Sequence, residues 1–229
     1  MPRSTQGLVR LWSAAKAVRA PSCGGRTRAK PWLALLALVF ALAASPVQAA
    51  DAGVDRITER TLGEATAPVT IYEFSSFTCP HCASFHVETL PKIKAEFIDS
   101  GKVKLVFRDF PLDRLSLAAS VVARCVKPAQ YFPFVELLFK DQMVWAKAQD
   151  PLAELKTRAR IAGMGEDQVN ACLGDQALIA SLQQRRDAAS KEFGIDSTPT
   201  FVIGTQTLRG AQPYEAFRTA IESALAKAG

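Results

Sequence analysis

Val69-Thr70-Ile71-Tyr72-Glu73-Phe74-Ser75-Ser76-Phe77-Thr78-Cys79-Pro80-His81-Cys82 passes from strand to turn to helix and ends in a C-x-x-C. Residues 69–74 are mostly β-branched or aromatic and read as a strand. Pro80 falls in the first turn of a helix predicted over 80–98, where its missing N–H costs nothing. Two thiols at this spacing can close into a disulfide and reopen. Cys79, just ahead of the helix, sits where free backbone N–H groups and the helix dipole stabilise a thiolate, so it is the expected nucleophile. Cys82, one turn inward, is the expected buried partner that resolves or re-forms a mixed disulfide.

Beyond the helix, Gly101 and a strand over 102–107 complete a βαβ unit, which implies a parallel pair and a right-handed crossover. Within the helix Cys82, Phe85, Leu90, Ile93 and Phe97 lie near one face, and Pro91 predicts a kink. Only helical patterns follow, over 116–127, 132–147, 151–162, 166–173 and 176–193. Strand character returns over 200–203 and 207–209 around Gly204-Thr205, a hairpin turn, before a last helix over 213–227. Phe217, Ile221 and Leu225 recur every four residues on that helix as a core-facing stripe. The expected organisation is an arm over 50–67, an α/β domain whose two parts span 68–111 and 194–229, and an all-helical insertion over 112–193.

The formal charge of +6 is unevenly distributed. Met1 to Ala49 holds seven basic residues and no acidic one, which leaves 21 basic against 22 acidic residues over 50–229. The basic pI therefore belongs to the leader and gives no ground for a nucleic-acid surface. The leader itself has a basic stretch, a 13-residue apolar run from Trp32 to Ala44, and Val47-Gln48-Ala49 as a cleavage signal. It reads as a secretory signal peptide over 1–49; an uncleaved anchor or a mitochondrial presequence are the alternatives. Cys23 lies upstream of the apolar run and would leave with the leader, so four cysteines reach an oxidising compartment. If Cys79 pairs with Cys82, Cys125 and Cys172 are left for one another, 47 residues apart, as a structural disulfide across two helices of the insertion; two unpaired buried thiols are the alternative.

In this order the strand, C-x-x-C, helix, strand, helical insertion, hairpin and helix resemble the thioredoxin superfamily, and within it the DsbA-like oxidoreductases. The resemblance runs from Pro68 to the C-terminus. It is carried by residues 73–82, by Phe107-Arg108-Asp109-Phe110-Pro111-Leu112 and by Ser197-Thr198-Pro199-Thr200-Phe201. It implies a thioredoxin-like fold with an inserted helical domain. It also implies that Pro199 is the cis-proline whose loop faces the C-x-x-C and, with Thr198, pairs with substrate backbone. Thr198 stands where the family's prototype has valine, and threonine there also resembles isomerase-type relatives.

His81 and Pro80 fill the two positions between the cysteines, and a histidine there can donate a hydrogen bond or place positive charge beside a thiolate. Glu73 is a carboxylate in an apolar strand, where the DsbA-like pattern also carries a buried acid. Buried, it would accept the proton that Cys82 loses when it attacks a mixed disulfide; pointing outward, it would be plain surface. His86 reads as a helix-surface or packing histidine. A zinc site from Cys79, Cys82 and His86 lacks a fourth ligand, so no metal is expected.

The resulting expectation is a periplasmic enzyme whose redox group is its own dithiol, with no other cofactor. It would donate a disulfide to reduced, unfolded exported proteins and, by resemblance, be reoxidised by a DsbB-like quinone-reducing membrane oxidase. Isomerase-type relatives carry a dimerisation segment ahead of the domain, and the arm is too short for one, so a monomer is expected. The alternatives are an isomerase or reductase on the same fold, and a non-catalytic protein that holds a soft metal on the dithiol.

Overall fold

The computed structural model describes residues 57–228. The leader, and the first residues of the arm, lie outside the described residues. Five strands form one mixed sheet in the order β1-β3-β2-β4-β5: β1 is Arg60–Leu62, β2 Val69–Ser75, β3 Val103–Asp109, β4 Thr200–Ile203 and β5 Gln206–Arg209. β2 and β3 run parallel, in the register Val69 to Val103 through Ser75 to Asp109. β4 is antiparallel to β2 and forms the hairpin with β5 through Gly204, whose φ of 56° suits glycine. The arm is not merely a lead-in: it contributes β1, which pairs antiparallel with the free edge of β3. Three residues are too few to carry an alternation signal, so tertiary pairing alone defines this strand.

The crossover between β2 and β3 is a single helical rod made of α1 (Pro80–Ser84), a π turn (Phe85–Thr89), α2 (Leu90–Ile93) and a second π turn (Lys94–Ile98). Pro91 cannot donate back along the rod, and the ladder slips around it. The Leu90 N–H, for instance, bonds the Phe85 carbonyl five residues back. Between β3 and β4 lie α3 (Arg114–Cys125), α4 (Tyr131–Lys140), α5 (Gln142–Trp145), α6 (Pro151–Ile161), α7 (Glu166–Leu173) and α8 (Gln176–Phe193). Three of them, α3, α6 and α8, start on capping carboxylates: Asp113, Asp150 and Asp175 accept from the backbone N–H of Ser116, Ala153 and Leu178 at 2.7, 3.0 and 3.0 Å. Gly194, left-handed at φ 62°, ends α8. The helix expected over 132–147 breaks at Asp141 into α4 and α5. A disulfide joins Cys125, the last residue of α3, to Cys172 on α7, with Cα atoms 6.4 Å apart. The last helix, α9, is Tyr214–Ala228.

Alternation along the central strands separates two cores. Val69, Ile71 and Glu73 of β2 share a face with Leu105 and Phe107 of β3 and Phe201 and Ile203 of β4. The rod, α4 and α9 cover this face with Phe85, Ile93, Phe97, Phe139, Phe217 and Ile221. Phe74 points the other way into a smaller cluster with Phe110, Ala189 and Ile195 under α8. Among the described residues no helix is long and apolar enough to cross a membrane.

Candidate active site

The turn between β2 and α1 is held from three directions before it delivers Cys79. The Ser116 hydroxyl on α3 accepts from the Phe77 N–H at 3.0 Å and lies 2.7 Å from the Ser76 hydroxyl. Thr78 donates its hydroxyl to Asp113 at 2.6 Å, the same carboxylate that caps α3. From α5, the buried Gln142 amide donates to the Phe77 carbonyl at 2.9 Å and the Cys79 carbonyl at 3.0 Å. Nothing in the local sequence around the C-x-x-C announces these three anchors. Only Gln142 leaves a trace, as a polar residue at helical spacing from the buried Leu138 and Trp145.

Cys79 is the N-cap of α1, in extended conformation at φ −82° and ψ 118°, and Pro80 follows at the first helical position. Both cysteines are reduced; Cys79 retains 8% exposure and Cys82 none. The Cys82 thiol, the Thr198 side chain and the backbone N–H groups of Cys82 and His81 all favour a Cys79 thiolate. Against the opposing effect of burial they hold its pKa down at about 5, from 9.0 for an ordinary thiol. Cys82 moves the other way. Burial first, then the hydrogen bond and negative charge of Cys79, push its pKa far up, and Ser75 offsets only part of this. The reduced pair is therefore one thiolate over one thiol.

Thr198 comes from the far side of the site, in the loop before β4. Its peptide bond to Pro199 is cis, and its carbonyl lies 3.3 Å from Cys79 Sγ, accepting from the thiol when that sulfur is protonated. The Thr198 hydroxyl is buried. His81 turns its ring to solvent, so what it brings to the sulfur is its backbone N–H. Pro80 is likewise exposed beside Cys79.

Glu73 is fully buried, flanked in register by Phe107 and Phe201. It lies two residues from Ser75 on the same face of β2, and Ser75 reaches Cys82. Its Oε1 is 2.8 Å from Nε2 of His86, while Oε2 has no partner. Of the two readings of His86, surface or packing, the structure gives packing: it is buried and stacked on Phe139 with ring centroids 4.2 Å apart. The signal in the sequence is its distance from Cys82, four residues or one turn along the same face. With Nε2 directed at Glu73, the set Cys79, Cys82 and His86 does not converge, and among the described residues no group of three or more metal-ligating side chains does.

A thioredoxin family model matches residues 55–223, most of the chain. Disulfide bond formation protein D of Bacillus subtilis is 28% identical over 174 residues, covering 72% of this chain and 76% of that protein. A Rickettsia bellii protein named as a protein-disulfide oxidoreductase is 28% identical over 151 residues, 65% of this chain; the match spans only 58% of that relative's length. Among solved structures, Wolbachia pipientis alpha-DsbA1 superposes with a TM-score of 0.69 at 29% identity, over 75% of this chain and 92% of that one. Oxidised BdbD from Bacillus subtilis does so with a TM-score of 0.63 at 25% identity, over 73% and 93%. With a five-stranded mixed sheet, a C-x-x-C at the head of its crossover helix and a helical insertion between β3 and β4, the chain belongs to the thioredoxin family, among its DsbA-like members.

Proposed function

We propose that this chain is a thiol:disulfide oxidoreductase of the periplasm that donates the Cys79–Cys82 disulfide to reduced proteins exported in an unfolded state. One feature carries the reading: Cys79 caps α1 with the N–H groups of His81 and Cys82 at its sulfur, which lowers its pKa to about 5, while burial of Cys82 favours its protonated form. A stabilised reduced form makes the corresponding disulfide a stronger oxidant. The relatives' names support the same chemistry.

In the donating direction a substrate thiolate attacks Cys79, the more exposed sulfur, and forms a mixed disulfide. The Cys79–Cys82 bond breaks, and Cys82 leaves with the electron pair and takes up a proton. A second substrate thiolate then attacks the substrate sulfur of the mixed disulfide. Cys79 departs as a thiolate, readily because this thiolate is a weak base, and two electrons have passed from substrate to protein. Glu73 supplies the proton to Cys82 in this direction and accepts it when the disulfide is rebuilt. Pro199 and Thr198 present the substrate backbone to Cys79, with Pro80 and the His81 ring on the exposed side.

The dithiol is the whole redox apparatus of the proposed cycle, with no added cofactor. A DsbB-like quinone-reducing membrane oxidase restores the disulfide, and the protein acts as a monomer. The deciding experiment is the equilibrium reduction potential of Cys79/Cys82 against glutathione with Cys125 and Cys172 intact. A value well above the thioredoxin level of about −270 mV is expected, and a value at that level would make the protein a reductant and sink the proposal.

A further inference from the structure

Every half-cycle of the proposed reaction moves one proton between water and a place that water does not reach. Cys82 carries a proton in the dithiol and none in the disulfide, yet it is fully buried, and Glu73, two residues along β2 from the Ser75 that acts on Cys82, is fully buried as well. Glu73 has one oxygen unpaired and turns the other to His86 at 2.8 Å. The His86 ring, fixed by stacking on Phe139, also lines a surface cavity of about 320 Å³ that none of Cys79, Pro80, His81 or Thr198 lines. Exposed residues Pro91, Lys94, Pro133 and Glu136 form the mouth of that cavity. A buried carboxyl therefore touches an imidazole that itself lines an open cavity.

We infer that His86 is a positioning and relay residue that passes the Cys82 proton between Glu73 and solvent in the cavity between the rod and α4. The inference rests on the proposed exchange of the Cys82 proton with Glu73. Imidazole suits the task because its two ring nitrogens let it take a proton at one and release one at the other near neutral pH. The arrangement also separates the two traffics of the site: substrate sulfur meets Cys79 at the Thr198 loop, and protons leave through a cavity that this loop does not line. The charged and titratable groups facing His86 are Glu73 from β2, Lys94 from its own rod and Glu136 from α4. Tyr131 of α4 lies close enough to feel the charge of Glu73.

The step to measure is the one in which Cys82 must lose its proton. Reduced protein mixed with saturating oxidised glutathione forms a mixed disulfide at Cys79 and releases one glutathione thiolate. Cys82 then attacks Cys79, the second glutathione leaves as a thiolate that solvent protonates, and the Cys82 proton exits. The unimolecular rate of that second release is followed by acid quench from about pH 5 to pH 8. His86→Gln keeps a side-chain N–H for Glu73 but cannot relay a proton. It is expected to slow the release about tenfold or more, within the range of general acid–base catalysis, and to flatten its pH profile. Its equilibrium potential and melting temperature should match the unsubstituted protein. Imidazole added to His86→Ala should restore the rate through the cavity, and Glu73→Gln/His86→Gln should be no slower than Glu73→Gln alone. A His86→Gln rate equal to that of the unsubstituted protein across the pH range overturns the relay. If Glu73→Gln is also unaffected, the proton role of Glu73 falls with it. Failure of the unsubstituted protein to form a disulfide from oxidised glutathione at all would instead sink the oxidoreductase reading.

Discussion

The ionisation of Cys79 sets how strongly its disulfide oxidises, and changing pH tests this without altering a residue. Its pKa is depressed from 9.0 to about 5, so the thiolate contributes nothing to the reduced folded state below pH 5, grows in between, and contributes fully only above pH 9. At pH 7 the gain is two pH units' worth, about 2.7 kcal/mol, and for a two-electron couple this equals about 60 mV of added oxidising power over a pair of ordinary thiols. Cys82 stays protonated throughout, so the number of protons taken up on reduction changes once. Below pH 5 two protons accompany two electrons and the potential falls about 59 mV per pH unit; above it one proton does, and the slope halves to about 30 mV. The assay is glutathione equilibration from about pH 4 to pH 8, paired with the ultraviolet absorbance of the thiolate over the same range. The absorbance midpoint and the break in slope should coincide at about pH 5. A single 59 mV slope running through pH 8, with a thiolate midpoint near that of free cysteine, would refute the reasoning. The Cys82 hydrogen bond is the largest lowering influence, so Cys82→Ala should move the midpoint upward.

Gln142→Ala leaves the buried Phe77 carbonyl without its side-chain donor and frees one end of the Cys79 turn, so it should cost about 1 to 3 kcal/mol in urea unfolding and slow thiol exchange. Asp113→Ala removes the cap of α3 and the acceptor of Thr78 together, for a loss of about 1 kcal/mol or more in the same assay. Replacing Cys125 and Cys172 by serine opens a 47-residue loop and should lower stability by about 4 kcal/mol on the chain-entropy view, read as a drop in melting temperature. The same variant should still oxidise a dithiol peptide, and loss of that reaction in the folded protein would show that the insertion's disulfide does more than brace it.

How far the sequence could be read depended on how local each signal was. α7 and α8 were legible to the residue because glycines and an aspartate bound them: Gly165 and Gly174 flank α7, Asp175 caps α8 and Gly194 ends it. The C-x-x-C and the Gly204 turn are equally local. β1 was not legible, since three residues with no pattern become a strand only against β3. The sequence left His86 as a surface or a packing residue, and its place four residues after Cys82, on the buried face of the helix, is what favours packing. Ser116, Asp113 and Gln142 reach the site from 35 to 65 residues away. Hydroxyls and amides at that separation leave no periodicity to find. Glu73 stood out because a carboxylate interrupts an apolar strand, but the partner that holds its oxygen could be known only once the rod was folded over it.

Those distant anchors change what the helical insertion is for. A lid that merely covers the dithiol would touch it from outside. Here the first turn of α3 supplies Ser116 and Asp113, and α5 supplies Gln142, to the backbone and side chains of 76–79. These contacts fix the turn whose N–H groups face the Cys79 sulfur, and a thiolate is stabilised only as far as its donors are held in place when charge develops. The insertion is therefore part of the redox device. Its disulfide ties the far end of α3 to α7, bracing the helix whose near end carries two of the three anchors. One disulfide is made ready to exchange by the stabilised thiolate that its reduction releases; the other holds the scaffold that makes that release favourable. The two differ in no bond of their own chemistry, and in this chain the surroundings of each sulfur decide which turns over.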